Sequence, residues 1–117
     1  MQGVQLAATS TTAENQTLST SMYIHSIPNN NDNQDIVSMG TNAATLTQKV
    51  IDNTFEVLSI EAITIAQAID ILACEGKMSS TTREWYYQIR TIIPFFKEDI
   101  IPYPYLEKVK NYLKTSL

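Results

Sequence analysis

A cluster of amides and carboxylates stands directly before the longest apolar segment of the chain. Residues 29–35 contain five amides, two carboxylates and no apolar side chain. Such groups can hydrogen-bond a polar ligand, and they can also accept hydrogen bonds from the free backbone N–H groups of a helix's first turn. Two interpretations stay open. The segment is a low-complexity linker, or it is a turn whose amides are ordered by a ligand or by a neighbouring subunit.

Few other residues have the spacing that chemistry requires. The sequence contains no phosphate-binding glycine loop, no paired cysteines for a metal and no plausible Ser/His/Asp set. His25 is the only imidazole, and a lone His is more often structural than catalytic. Cys74 is expected to be a small packed side chain, and Tyr86 and Tyr87 to straddle the edge of the core. Glu61 interrupts an apolar face, where a paired or interface carboxylate is a better interpretation than a buried functional acid.

Composition limits the class of protein. The chain has 117 residues, of which 44% are hydrophobic, three are Gly and four are Pro, a profile typical of one globular helical domain. Its net charge of −4 and pI near 4.8 argue against general binding to nucleic acid or anionic membranes. The segment from Phe55 to Ala73 approaches the length of a membrane span but holds three acids, so a core helix is expected. The single Cys74 and the lack of signal-peptide features favour the cytoplasm.

Behind the polar cluster, apolar residues recur at spacings of three and four, which predicts one long helix over residues 36–74. Asn33 or Asp35 is the expected N-cap, and Gly76 is the expected left-handed residue past the end. The helix is apolar on two faces, and one chain of this length can hardly cover both. We therefore expect partner helices.

The flanking regions complete an all-α, single partial domain. Residues 1–35 predict a helix of modest propensity over 3–18, followed by the loop that contains the polar cluster. Residues 79–117 predict two C-terminal helices, the first capped by Ser79, Ser80 or Thr81 and stopping near Pro94. Its inward residues are expected to be Trp85, Ile89, Ile92 and Ile93, and those of the terminal helix over 105–114 to be Leu106, Val109 and Leu113.

Charge is divided unevenly between the two ends of the chain. Residues 1–82 hold two lysines and eight acids, a net charge of −6, whereas residues 83–117 hold six basic residues and four acids, a net charge of +2. Opposite charges attract, so we expect the two parts to pack against each other.

Three stretches occur in one order: Ser26-Ile27-Pro28, then Asn33-Gln34-Asp35-Ile36-Val37-Ser38-Met39-Gly40, then Asn53 to Glu61. Together they resemble the C-terminal part of the histidine and phenylalanine/tyrosine ammonia-lyases, and the resemblance covers essentially the whole chain. It implies an elongated, mainly helical homotetramer whose active sites combine loops and helices from several subunits. It also implies a methylidene-imidazolone electrophile, made from an internal Ala-Ser-Gly, that drives loss of ammonia from an aromatic amino acid.

The resemblance places Asn33 and Gln34 in the substrate pocket, with Gln34 beside the electrophile as the catalytic position. Histidine-type enzymes have Glu where this chain has Gln34, and phenylalanine- and tyrosine-type enzymes have Gln. A carboxylate can pair with an imidazole or accept a proton, whereas an amide offers only neutral hydrogen bonds. Gln34 therefore favours a carbocyclic aromatic substrate or an aminomutase, although Val37-Ser38-Met39 is closer to the histidine-type sequence.

One departure from the family pattern affects function. The three glycines follow Gln2, Met39 and Glu75, so no Ala-Ser-Gly occurs and the electrophile cannot form in this chain. The tyrosine that the family uses as a base lies upstream and is likewise absent. We expect a C-terminal fragment that is inactive alone, with the missing N-terminal part and other subunits of a tetramer as partners. The alternative is a non-catalytic helical oligomerisation or regulatory module derived from that family.

Overall fold

The computed structural model describes residues 2–25 and 39–116. Within these ranges the chain forms no strand and four α-helices: α1 (Gln2–Leu18), α2 (Gly40–Leu72), α3 (Ser80–Ile92) and α4 (Tyr103–Ser116). Short 3-10 turns lie at Met22–Ile24 and Glu75–Lys77. The molecule measures 66 × 29 × 21 Å, so it is elongated. The all-α class and the long helix are confirmed, as is the helix predicted at the N-terminal end.

The other three helices pack along α2, which has 33 residues and spans about 50 Å. α1 and α4 make the most extensive contacts with it. Side-chain pairs fix the directions: Thr11 meets Glu56 and Asn15 meets Val50, so α1 runs antiparallel to α2. Lys110 meets Glu56 and Lys114 meets Asp52, which sets α4 antiparallel as well.

The hydrophobic core lies at the C-terminal end of α2, where α3 and α4 cover it. Ala66, Ile89, Ile93 and Val109 have no exposed surface, and Ile63 is 2% exposed. Trp85, Ile92, Leu106 and Leu113 pack against this cluster from its edge. The predicted inward residues of α3 and α4 are thus confirmed. α1 contributes no buried residue, so its end of the molecule has much less apolar burial.

The C-terminal end of α2 lies earlier in the sequence than predicted. The helix ends at Leu72, and Ala73 takes the left-handed conformation with φ of 47°. The N–H of Ala73 donates to Asp70 O and that of Cys74 to Ile69 O, each over 3.2 Å, as in a Schellman ending. The prediction for Gly76 was wrong, because the helix stops earlier and Gly76 lies in the following 3-10 turn. The predicted N-caps Asn33 and Asp35 lie outside the described residues.

Ion pairs join the acidic and basic parts of the chain, as expected. Arg90 pairs with Asp70, Lys110 with Asp52 and Glu56, and Lys114 with Asp52. Each of these pairs links an acid of α2 to a base of α3 or α4. The Lys114 ammonium beside Asp52 also lowers the pKa of that carboxyl below its usual value. Ser79 caps α3, because its Oγ accepts a hydrogen bond from Thr82 N at 3.2 Å.

In the part of the chain that the structure describes, no helix combines the length and the hydropathy that crossing a membrane requires.

Candidate functional site

A cavity of about 520 Å³ opens where the 3-10 turn after α1 meets the start of α2. His25 and Met39, which flank residues 26–38 in the sequence, both contribute to its wall. The polar groups in the wall are an imidazole, an amide and a hydroxyl. The lining residues are Met22, His25, Met39, Asn42, Thr45 and Leu46.

Local backbone geometry positions this wall. His25 N–H donates to Met22 O at 3.1 Å and closes the 3-10 turn, which holds Met22 against the cavity. On the other side, Asn42, Thr45 and Leu46 follow one another at helical spacing along the first turns of α2. The Thr45 hydroxyl donates to Thr41 O at 3.0 Å, so its oxygen keeps free lone pairs for a donor. The wall can therefore hydrogen-bond a small polar ligand.

The two residues predicted to carry chemistry, Asn33 and Gln34, lie outside the described residues. Their role in a substrate pocket stays a prediction. Among the alternatives, Glu61 is exposed, so it is not a buried functional acid in this chain. Tyr86 is 6% exposed and Tyr87 is 49% exposed, which confirms that the pair straddles the edge of the core.

A second group of polar residues joins α2 to α3 and to the segment that follows α3. Arg90 pairs with Asp70 and donates through Nη2 to Gln67 Oε1 at 3.0 Å. Gln67 in turn donates through Nε2 to Phe96 O at 2.8 Å and accepts from Phe96 N at 3.4 Å. Tyr86 Oη donates to Asp70 Oδ1 at 2.6 Å. We call Gln67, Asp70, Tyr86 and Arg90 the buried polar network.

The network stabilises the fold. Its acid and base are paired with each other, and Gln67 is only 5% exposed, so these polar groups bind one another. The hydrogen bond from Tyr86 to the Asp70 carboxylate raises the pKa of the Tyr86 hydroxyl, with burial acting in the same direction. A raised phenol pKa keeps Tyr86 neutral, which is the state that donates. The network therefore fixes the turn from α3 to α4.

Most of these residues carry no sequence motif that marks them as a network. Gln67 and Asp70 are isolated polar residues in a mostly apolar stretch, and their partner Arg90 is 23 and 20 positions away in sequence. A usable signal existed: two polar residues three positions apart in an apolar helix must find partners when the helix is buried. Asn42 and Thr45 gave no signal beyond their position one turn past Met39.

Among the described residues, no group of three or more His, Cys, Asp or Glu side chains is placed to hold a metal ion. In the cavity wall only His25 belongs to these types. The described residues of the cavity wall thus offer a ligand hydrogen bonds and apolar contacts.

Comparisons with known proteins agree with one another. The family model for "aromatic amino acid lyase" matches residues 1–91. Histidine ammonia-lyases from Bacillus cereus (strain B4264) and Staphylococcus aureus (strain bovine RF122 / ET3-1) are each 38% identical to the chain, covering 97% of it and 22% of their own length. A crystal structure of tyrosine aminomutase from Streptomyces globisporus superposes with a TM-score of 0.91 at 32% identity, covering 97% of this chain and 21% of that one. The chain thus spans about a fifth of the length of these proteins.

Proposed function

Because this chain belongs to the aromatic amino acid lyase family, we propose that it supplies the C-terminal portion of an enzyme that eliminates ammonia from an aromatic amino acid. The strongest support is the extent of the match: 97% of the chain aligns with 22% of a histidine ammonia-lyase and superposes on 21% of a tyrosine aminomutase. The elimination breaks the Cα–N bond of the amino acid and removes a proton from Cβ, giving an α,β-unsaturated acid.

The chemistry is divided between this chain and the rest of the enzyme. The methylidene-imidazolone electrophile requires Ala-Ser-Gly, and each of the three glycines here follows another residue, namely Gln2, Met39 or Glu75. The residues of this chain therefore do not fit the group, and the rest of the enzyme has to supply it. The isolated chain is expected to be inactive.

Within that division, we assign substrate binding to Asn33 and Gln34. The amide of Gln34 can donate and accept neutral hydrogen bonds but cannot remove a proton. An amide leaves an imidazole substrate without an ionic partner, so Gln34 favours phenylalanine or tyrosine. The cavity lined by His25 and Asn42 lies at the two sequence ends of the segment that contains Gln34, which supports a ligand site at this end of α2.

The proposed partners are the missing N-terminal part of the enzyme and other subunits of a homotetramer in the cytoplasm. Exposed apolar residues on the longest helix support association: Ile51, Ile65 and Leu72 are 51%, 43% and 71% exposed. Several large apolar side chains exposed along one helix are typical of a protein–protein interface. The single Cys74 is half-buried and unpaired, consistent with a reducing compartment.

The alternative function, a non-catalytic oligomerisation or regulatory module, also uses these exposed side chains. The coding sequence directly upstream distinguishes the two. An adjacent reading frame that encodes Ala-Ser-Gly within a helical protein supports the split enzyme, whereas an unrelated sequence there favours the module.

The direct test of the division of chemistry uses the purified chain alone. Incubated with phenylalanine, tyrosine or histidine, it should give no cinnamate, coumarate or urocanate by chromatography. Formation of any of these acids above the rate in buffer would overturn the proposal that the electrophile lies elsewhere. An intact histidine ammonia-lyase such as that of Bacillus cereus is the positive control for the assay.

A further inference from the structure

Helix α1 packs on α2 with little apolar burial. None of its residues is buried, and its half-buried residues recur at steps of three and four, so they form one row along the helix. Most members of this row are small or polar, and they bury little apolar surface. The row consists of Val4, Ala8, Thr11, Asn15 and Leu18. Polar contacts therefore have a large part in holding α1 on α2.

The shortest side-chain contact described between the two helices joins Glu14 to Asn53. Asn53 Nδ2 donates to Glu14 Oε2 at 2.9 Å, and Lys49 Nζ lies 3.5 Å from Glu14 Oε1. The other hydrogen bonds between the helices, made by Thr11 and Asn15, are 3.3 to 3.5 Å long. A short hydrogen bond to a carboxylate is about twice as strong as one between neutral groups. We call Glu14 and Asn53 the clamp.

Burial makes the clamp costly to break. Asn53 is 7% exposed, and among the described residues its side chain makes this one hydrogen bond. Without the Glu14 carboxylate, the Asn53 amide would be left unpaired where water has little access, which costs more than the loss of an exposed hydrogen bond. The Lys49 and Glu14 side chains are 55% and 49% exposed, so their ion pair adds little.

Helix α1 leads directly to the wall of the 520 Å³ cavity. It ends at Leu18, and the 3-10 turn that brings Met22 and His25 to the cavity begins four residues later. Ser19 Oγ donates to Asn15 O at 2.7 Å, which ties this connection to the last turn of α1. The opposite wall belongs to α2. The separation of the two walls therefore depends on how α1 is docked.

The junction between the end of α1 and α2 is loosely packed. A second cavity, of about 380 Å³, has Leu18 and Met22 on one side and Leu46 and Val50 on the other. Closely packed side chains would hold the 3-10 turn against α2 by themselves, but here a gap separates them. Glu14 lies one helical turn before Leu18, so the clamp is the nearest strong attachment on α1.

We propose that Glu14 is a positioning residue: by binding Asn53 it holds α1 on α2, and thereby keeps Met22 and His25 at the cavity wall. The inference rests on the proposed function for the class of ligand, an aromatic amino acid, and adds the residues that set the shape of its site. A helix with so little apolar burial opens locally at low cost, and the clamp limits that opening.

Hydrogen–deuterium exchange with mass spectrometry on the full 117-residue chain tests the clamp. Glu14→Ala removes the acceptor of the Asn53 amide, whereas Glu14→Gln keeps a carbonyl oxygen in its place. Gln5→Ala is the matched control, because Gln5 is exposed on the same helix. Peptides from residues 2–25 report on α1 and the 3-10 turn, and peptides from α3 report on the core. Methyl NMR of ¹³C-labelled methionine follows Met22 in the same variants.

We expect Glu14→Ala to raise the exchange rate of residues 2–25 about tenfold or more, and to move the Met22 methyl signal towards its position in the urea-unfolded chain. Glu14→Gln should stay within about threefold of the wild type, Gln5→Ala within about twofold, and α3 should be unchanged in all three variants. Wild-type exchange in Glu14→Ala would overturn the inference. Equal exchange in Glu14→Gln and Glu14→Ala would also overturn it, because the hydrogen bond to Asn53 would then not hold α1.

A double variant tests whether Glu14 acts through Asn53. Adding Asn53→Ala to Glu14→Ala should change the exchange of residues 2–25 by less than about twofold, because one hydrogen bond joins the two residues. Two independent effects that multiply would overturn the clamp. All these measurements use the chain alone, so their failure leaves the proposed function intact. Failure of the chain to support ammonia elimination would instead remove the proposed ligand and leave the clamp.

Discussion

The substitution Arg90→Met removes the only cation of the buried polar network and keeps an unbranched apolar side chain at that position. Arg90 pairs with Asp70 and donates to Gln67 Oε1 at 3.0 Å and to Ile93 O at 3.1 Å. Its guanidinium also lies 5.8 Å from the centre of the Tyr86 ring. After the substitution, the Asp70 carboxylate keeps only the Tyr86 hydroxyl among these partners.

The expected cost follows from burial. Removing one partner of a fully buried ion pair costs about 3–5 kcal/mol, and an exposed pair contributes less than about 1 kcal/mol. The Arg90 and Asp70 side chains are 12% and 24% exposed, so water screens the pair only in part. We therefore expect Arg90→Met to lower the free energy of unfolding by about 2–3 kcal/mol, a large share of the ~5–15 kcal/mol typical of a domain.

Urea unfolding at neutral pH, followed by far-UV circular dichroism, measures this loss. Arg83→Met is the matched control, because Arg83 is half-buried and, among the described residues, its one hydrogen bond goes to Met78 O at 3.3 Å. It should cost less than about 1 kcal/mol. Adding Asp70→Asn to Arg90→Met should recover about 1 kcal/mol, since no unpaired charge then remains. An Arg90→Met variant within about 0.5 kcal/mol of the wild type, or strict additivity of the two substitutions, would contradict the proposed role of the network.

Three further predictions concern single residues. Ala73→Gly should stabilise the chain by about 0.5–1 kcal/mol, because Ala73 has a left-handed φ of 47°, which glycine adopts more readily. Ala68→Gly, inside α2, should instead destabilise the chain by about 1 kcal/mol. The urea midpoints of the two variants measure both changes. Ser79→Ala should cost about 1 kcal/mol by the same measurement, through loss of the α3 cap, and Ser79→Gly should cost only a few tenths. The raised pKa of Tyr86 contributes stability that is complete below the ordinary phenol pKa and is lost as pH rises through the folded-state pKa. Glu75 raises the pKa of Tyr87 in the same way, so spectrophotometric titration should show a phase above the ordinary phenol pKa to which both residues contribute. Tyr86→Phe should reduce the amplitude of that phase; an unchanged titration in the variant would contradict the assignment.

The sequence predicted well where the helices lie, but only in part which helix faces pack against one another. The long helix, the stop before Pro94 and the inward positions of Ile89 and Val109 follow from apolar spacing and proline geometry, which are local. The end of α2 was placed too late because Gly76 gives a strong local signal. Instead the helix ends at Leu72, because the N–H groups of Ala73 and Cys74 donate to the carbonyls of Asp70 and Ile69.

Burial on the two faces of α2 was less predictable, since it depends on which helix covers which face. Leu58 and Ala62 are four positions apart and so lie on the same side of the helix, yet Ala62 is 4% exposed and Leu58 is 38% exposed. The opposite net charges of residues 1–82 and 83–117 predicted that the two parts attract each other. They did not predict that Arg90 pairs with Asp70. Asn33 and Gln34 were identified by resemblance alone, because amides have no spacing rule that marks a substrate pocket.

Reconstitution of activity from two polypeptides asks whether this chain is one part of an ammonia-lyase. The chain is mixed with the portion of the Bacillus cereus enzyme that precedes its match, and cinnamate, coumarate and urocanate are followed from phenylalanine, tyrosine and histidine. We predict that the mixture forms an unsaturated acid while each polypeptide alone does not, and that Gln34→Ala reduces the rate at least about tenfold. A mixture that forms a stable complex yet produces none of the three acids would contradict the proposal and favour the non-catalytic module.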